Sequence, residues 1–155
     1  MLHRLRDVFA SLNSHDVHYL VIGGVAASLH GVPRGTFDLD ILIEATRDNA
    51  QRLLDALAGV GFGTASLTSA DQVLADEITI FQDRVKVDVQ TATPGLSFPE
   101  AWERRETMSY RGQDFYVVCR EDLIASKVAA NRAVDQDDVR KLRLVDEDDG
   151  ADDSA

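Results

Sequence analysis

The chain has 155 residues, 45% hydrophobic and 28% charged, which fits one globular domain with an ordinary core, and no apolar run nears the roughly 20 residues that span a bilayer. Net charge is −11, from 16 basic and 27 acidic residues. That balance excludes the strongly basic footprint of a protein that holds duplex nucleic acid by neutralising phosphates, so no strong nonspecific nucleic-acid binding is expected.

In chain order, residues 2–13 read as an amphipathic helix with Leu2, Leu5, Val8, Phe9 and Leu12 on one stripe, and not as a signal peptide. A short strand follows at 18–22, broken by Gly23-Gly24, and 25–29 starts a small-residue helix that ends near Gly31. Residues 37–44 alternate, with Phe37, Leu39, Ile41 and Ile43 on one face and Asp38, Asp40, Leu42 and Glu44 on the other. An amphipathic helix occupies 47–60. Strands at 77–82 and 84–90 form a hairpin around Asp83, the second with Val85, Val87 and Val89 on one face and Lys86 and Asp88 on the other. A helical turn at 99–104, a second hairpin (106–110 and 113–118, turning at Arg111-Gly112) and two helices at 120–131 and 135–144 complete the domain. The order points to an α+β fold, a mixed sheet with helices packed on it and two C-terminal helices closing it. The domain spans 1–144. Residues 145–155 carry six acids and no base, which predicts a solvated, disordered tail. The lone cysteine, Cys119, allows no intrachain disulfide, and next to Val117 and Val118 it reads as a buried structural thiol; the expected address is the cytoplasm.

Asp38 and Asp40, two apart on a strand, project from one face, about 6 to 7 Å apart at the backbone. Two like charges at that spacing raise each other's pKa unless a cation intervenes, and a hard divalent ion such as Mg2+ suits this oxygen pair. Alone, Asp-x-Asp is equally an exposed polar strand face. Two further features give it weight. Gly23-Gly24 ends a strand and opens a helix, where backbone N–H groups can approach a phosphate. Asp88 offers a third carboxylate from another strand, able to complete a metal site or to accept a proton. Lys127 falls within the apolar stripe of its helix, either snorkelling to the surface or aimed into a cleft as a cation. Asp135 and Asp138, three apart, either pair with Lys127 or Arg132 or cap the last helix. Arg34 either steadies the acidic centre, contacts phosphate, or is solvated. His30 and Trp102 read as packing residues.

The stretch Val21-Ile-Gly-Gly-Val-Ala-Ala-Ser-Leu-His-Gly-Val-Pro-Arg-Gly-Thr-Phe-Asp-Leu-Asp-Ile-Leu-Ile resembles the signature of the DNA polymerase β-like nucleotidyltransferases. Within that superfamily it is similar to minimal bacterial members related to the AbiEii-type toxins, for which the Arg34-Gly35-Thr36 lead-in is typical. Asp122 to Arg132 is similar to the family's Lys-x-x-Ala helix, and Asp135-Gln-Asp-Asp138 to its closing Asp-x-x-Asp. The resemblance implies the nucleotidyltransferase fold and transfer of a nucleoside monophosphate from an NTP, ATP included, to a hydroxyl on RNA, protein or a small molecule. Asp38, Asp40 and Asp88 would hold Mg2+, or Mn2+ in its place. Gly23, Gly24, Arg34 and Lys127 would meet the nucleotide, supported by Thr36, Arg132, Asp135 and Asp138. A toxin–antitoxin setting with a cognate partner protein follows from the same likeness. The alternative is a nucleotidyltransferase-fold antitoxin or regulatory module that binds a partner with little or no turnover. A metal-dependent phosphohydrolase is a third reading, for which the sequence lacks a histidine-rich metal cluster.

Overall fold

The structure, a computed structural model, describes residues 2–35 and 38–153. Helix α1 (Leu2–Ser14) leads into β1 (Tyr19–Ile22), α2 (Gly23–Leu29), β2 (Leu39–Ile43) and α3 (Arg47–Gly59). A 3-10 turn (Gly63–Leu67) and α4 (Ala70–Ala75) then lead to the hairpin β3 (Ile78–Gln82) and β4 (Lys86–Gln90). Helix α5 (Phe98–Glu103), the hairpin β5 (Glu106–Tyr110) and β6 (Gln113–Val117), α6 (Arg120–Ala130) and α7 (Ala133–Asp153) follow. The six strands form one mixed sheet in the order β3-β4-β2-β1-β6-β5, so the α+β fold expected from the sequence is present. Strand β2 is antiparallel to β1 and parallel to β4, and β1 is parallel to β6.

The alternation of apolar residues sorts the two sheet faces. Tyr19 and Val21 on β1, Leu39, Ile41 and Ile43 on β2, Val87 and Val89 on β4 and Phe81 on β3 are buried together on one face. The predicted stripe of α1 covers them: Leu5, Val8, Phe9 and Leu12 are buried, with the Phe9 ring stacked on Phe115 at 4.5 Å. Helix α3 lies beside α1, and its Leu53, Leu54 and Leu57 close the core. The opposite face carries Ile22, Asp40, Asp88 and Gln90, and this is the face covered in part by α2 and α6.

One stretch adds elements to the expected order, and two others differ from it. Residues 63–76, which carry no clear periodicity, hold the 3-10 turn and α4, whose Ser69 side chain accepts a hydrogen bond from the Gln72 N–H. Strand β2 begins at Leu39, so Asp38 stands one residue before the ladder. Helix α7 runs past 144 through 145–153, the stretch expected as a disordered tail. No glycine or proline interrupts it before Gly150, and the Val145 side chain lies where a Cβ on Gly31 would meet it at 3.2 Å, so the packed body reaches at least that residue. Thr36, Phe37 and the side chain of Leu2 lie outside the described residues.

Asn49 ties the sheet to α3. Fully buried, it accepts from the His18 N–H (2.8 Å) and donates to the carbonyls of His18 (3.0 Å) and Glu44 (2.9 Å). Alanine there leaves the His18 N–H without its partner and takes one of two donors from each of the His18 and Glu44 carbonyls. Asn49→Ala is expected to lower stability by about 2–4 kcal/mol, read as a lower urea midpoint with an unchanged slope.

Candidate active site

The centre forms because β2 and β4 run parallel in one register. Asp40 sits directly opposite Asp88, and both side chains leave the face away from the main core. Facing each other across the ladder, the two carboxyls each oppose ionisation of the other. The Asp40 carboxyl is pushed up to about 7, chiefly by burial, then by the hydrogen bond and charge of Asp88, then by Asp38, with Lys86 opposing. Asp88 Oδ1 is buried without a hydrogen-bond partner. A buried, unmatched carboxylate oxygen costs free energy unless something meets it, and a hard cation is the partner its chemistry suits.

Asp38 is held differently. Lys86 lies one step back along the ladder from Asp88, opposite the Asp38 position, and its Nζ is 3.6 Å from Asp38 Oδ2 and 3.8 Å from Asp88 Oδ2. Among the described residues no three carboxylate, imidazole or thiolate groups converge closely enough to share a metal ion. The structure thus brings Asp40 and Asp88 together and leaves Asp38 at the lip, paired with a lysine. The donor set fits a divalent ion in chemistry, with its third member turned to Lys86.

Gly23 opens α2 with φ +69°, a left-handed conformation that glycine adopts without strain. A Cβ there would stand 2.3 Å from Asp40 Oδ2. Gly23 therefore lets the backbone lie against the carboxylate, which accounts for a glycine at the passage from β1 to α2.

The opposite wall of the cleft is cationic. Lys127 on α6 is 7% exposed and its Nζ donates to Asp138 Oδ2 at 2.9 Å, with Asp135 Oδ1 at 3.8 Å, so snorkelling is ruled out. Arg132 grips Asp135 with Nε and Nη2 (2.7 and 3.1 Å) and also donates its backbone N–H, so Asp135 both pairs and caps. Burial alone would raise Asp135; the hydrogen bonds from Arg132 and the charges of Arg132 and Lys127 hold it below the usual carboxylate range. Arg34 donates to Asp138, sharing Oδ2 with Lys127. Three cations against two carboxylates leave this wall one charge positive, facing the acidic centre.

Between the walls lies a cleft of about 320 Å³ lined by Gly23, Asp40, Asp88, Lys127, Arg132 and Asp135, with Gln90, Thr93 and Ser126 as additional polar residues. Gln90 follows Asp88 by two on β4 and is readable from strand alternation. Ser126 precedes Lys127; Thr93, in the loop after β4, has no sequence signal. Arg34 and Asp138 stand behind this lining, and Asp38 and Lys86 open instead on a neighbouring hollow of about 350 Å³ with Arg4, Gln82, Asp83 and Arg84.

The residues read as packing behave so. His30 Nε2 donates to the Val118 carbonyl at 2.8 Å. Trp102 is stacked on His18 (4.6 Å) with the Arg105 guanidinium 3.9 Å over its ring. Cys119 is buried, and burial pushes its thiol up to about 11, so it is no nucleophile at neutral pH.

A family model described as a nucleotidyltransferase of unknown function (DUF6036) matches residues 2–150. The fold is similar to the crystal structure of a Thermotoga maritima protein named provisionally as a nucleotidyltransferase, with 16% identity, 90% of each chain covered and a TM-score of 0.59. At that identity the likeness speaks for the fold alone. No curated protein matches the chain with significance. Among the described residues, no helix is long and apolar enough to cross a membrane.

Proposed function

Since the chain belongs to the DUF6036 family of nucleotidyltransferases, we propose that it moves a nucleoside monophosphate from an NTP to a hydroxyl acceptor with Mg2+ at Asp38, Asp40 and Asp88, releasing pyrophosphate. The observation that carries this is the in-register Asp40–Asp88 pair, with its unmatched Asp88 oxygen, facing a cationic wall across a cleft of nucleotide-compatible size. When bound, Mg2+ (or Mn2+) would neutralise charge on the reacting phosphate and lower the pKa of an oxygen beside it.

The chain's own residues do the rest. Gly23 and Gly24 let backbone N–H groups approach the triphosphate. Lys127 and Arg132 offset its charge, held in place by Asp135 and Asp138 so that little reorganisation accompanies transfer. Asp88 would take the acceptor's proton as the acceptor oxygen attacks phosphorus and the pyrophosphate oxygen departs. The hollow on the Asp38 side, lined by Arg4, Gln82, Asp83 and Arg84, leaves a route for the acceptor. Arg34 acts through Asp138 rather than on phosphate.

The relation to AbiEii-type toxins and a toxin–antitoxin partner rest on the Arg34-Gly35-Thr36 lead-in and the resemblance around it, and a cytoplasmic address on the single cysteine. A partner-binding module is the second reading, favoured by Ile78 and Ile80, half-exposed on the open edge strand β3 beside the cleft. One experiment separates the two. The protein is incubated with each α-labelled NTP, Mg2+ and cell extract as the acceptor pool. Label transfer that Asp38→Ala/Asp40→Ala protein loses is expected. Neither transfer nor Mg-NTP binding by calorimetry would leave the binding module.

A further inference from the structure

Lys86 occupies an unusual place for a lysine. It lies two residues before Asp88 on β4 and faces the carboxylates, in contact with two of the three groups assigned to the metal. Its contacts, 3.6 and 3.8 Å, are longer than a hydrogen bond, and its side chain is 32% exposed. Lys127, by contrast, is buried and bonded at 2.9 Å. One lysine is fixed and the other loosely seated. The loosely seated one holds Asp38, the carboxylate that keeps the donor set from converging.

We propose that Lys86 is a resident counter-ion of the acidic centre, which competes with the divalent cation and swings off Asp38 to let the three carboxylates converge. This rests on the metal-dependent transfer reading above. In the metal-free protein the ammonium offsets repulsion between Asp38 and Asp88, which lie diagonally across from each other with Lys86 Nζ near both. A divalent ion offers more charge at shorter range to the same oxygens, so the two cannot share them. The displaced side chain has a ready destination: the solvent-open hollow that Lys86 itself lines, where Asp83 stands on the same rim. The lysine thereby sets a threshold, partly neutralising the centre at low divalent concentration and weakening metal binding until the Mg-nucleotide arrives with its own phosphate ligands.

The test uses Mn2+ as the probe, followed by electron paramagnetic resonance without nucleotide, on wild type, Lys86→Met, Lys86→Gln, Lys86→Arg and Asp88→Asn. Lys86→Met and Lys86→Gln are expected to bind Mn2+ at least about fivefold more tightly than wild type, from loss of one positive charge near the ion. Lys86→Arg keeps the weak wild-type affinity, and Asp88→Asn loses binding. Metal-free Lys86→Met melts below wild type and gains a larger increase in melting temperature from Mn2+. Removing a mere structural brace would weaken binding, so the direction discriminates. Equal or weaker Mn2+ binding by both Lys86→Met and Lys86→Gln, with Asp88→Asn still binding-deficient, overturns the role of Lys86 and leaves the metal centre standing. Binding in no Lys86 variant above the Asp88→Asn level overturns the metal centre itself.

Discussion

Asp40→Asn protein is expected to be inactive and yet more stable than wild type when no metal is present. The Asp40 carboxyl is pushed up to about 7, first by burial and then by Asp88. Its unfolded value is the ordinary 3.8, so the folded state binds this proton more tightly. The stability it supports is fully present below about pH 4 and is lost as pH rises through 7. Asparagine carries no charge to bury. The stability advantage of Asp40→Asn over metal-free wild type should therefore grow between pH 4 and 7 and level off above. After allowance for the partial exposure of Asp40, it should reach ~1–3 kcal/mol, or about 3–10 °C in melting temperature. Activity falls about 10³-fold or more, because a ligand to the developing phosphate charge has gone. Thermal melts at pH 5 and pH 8 check the first half; label transfer checks the second. A variant that melts at the wild-type temperature at pH 8 would show that the acidic centre is not under strain.

Gly23→Ala is expected to damage the same centre without touching a charge. The left-handed φ of +69° costs an L-residue about 1–2 kcal/mol. The added methyl, 2.3 Å from Asp40 Oδ2, must also displace that carboxylate or the start of α2. A shift of ~1 Å at a reacting group costs about 10²-fold in rate. Gly59→Ala is the control: it has ordinary backbone geometry, its Cβ would find Ser11 Oγ at a comfortable 3.7 Å, and its stability should change by less than about 0.5 kcal/mol. If Gly23→Ala transfers label as fast as Gly59→Ala, close approach of backbone and carboxylate is not part of the site.

The acidic centre was legible because strand alternation has a period of two. Once residues 37–44 and 84–90 read as strands, Asp38, Asp40 and Asp88 had to face away from the isoleucines and valines beside them. What alternation cannot supply is register across strands. Asp40 opposite Asp88, and Lys86 opposite Asp38, follow from how β2 and β4 pair, and no local pattern encodes that. The same limit applies to Arg34, whose partner Asp138 lies near the other end of the chain. Lys127 was detectable as a cation on an apolar stripe, but the choice between solvent and cleft depended on α7 packing against α6. Helix α4, six residues long, is too short to show helical periodicity, and only its Ser69 cap marks it. The length of α7 went unread because its extension carries no apolar stripe at all.

The strand order has a consequence for how this chain acquires its shape. Strands β2, β3 and β4 lie consecutively in sequence and adjacent in space, so the carboxylate-bearing half of the sheet can pair once residue 90 is available. Strand β1 sits at the centre, and its second edge is completed only by β6, where Val21 meets Val117. Closing so long a loop is an entropically slow step. The helices bearing Lys127, Arg132 and Asp135 follow still later. During synthesis the acidic wall is therefore assembled well before the cationic wall that faces it. In that interval the half-formed sheet presents an unpaired β1 edge, the stage at which chain association competes most strongly with folding.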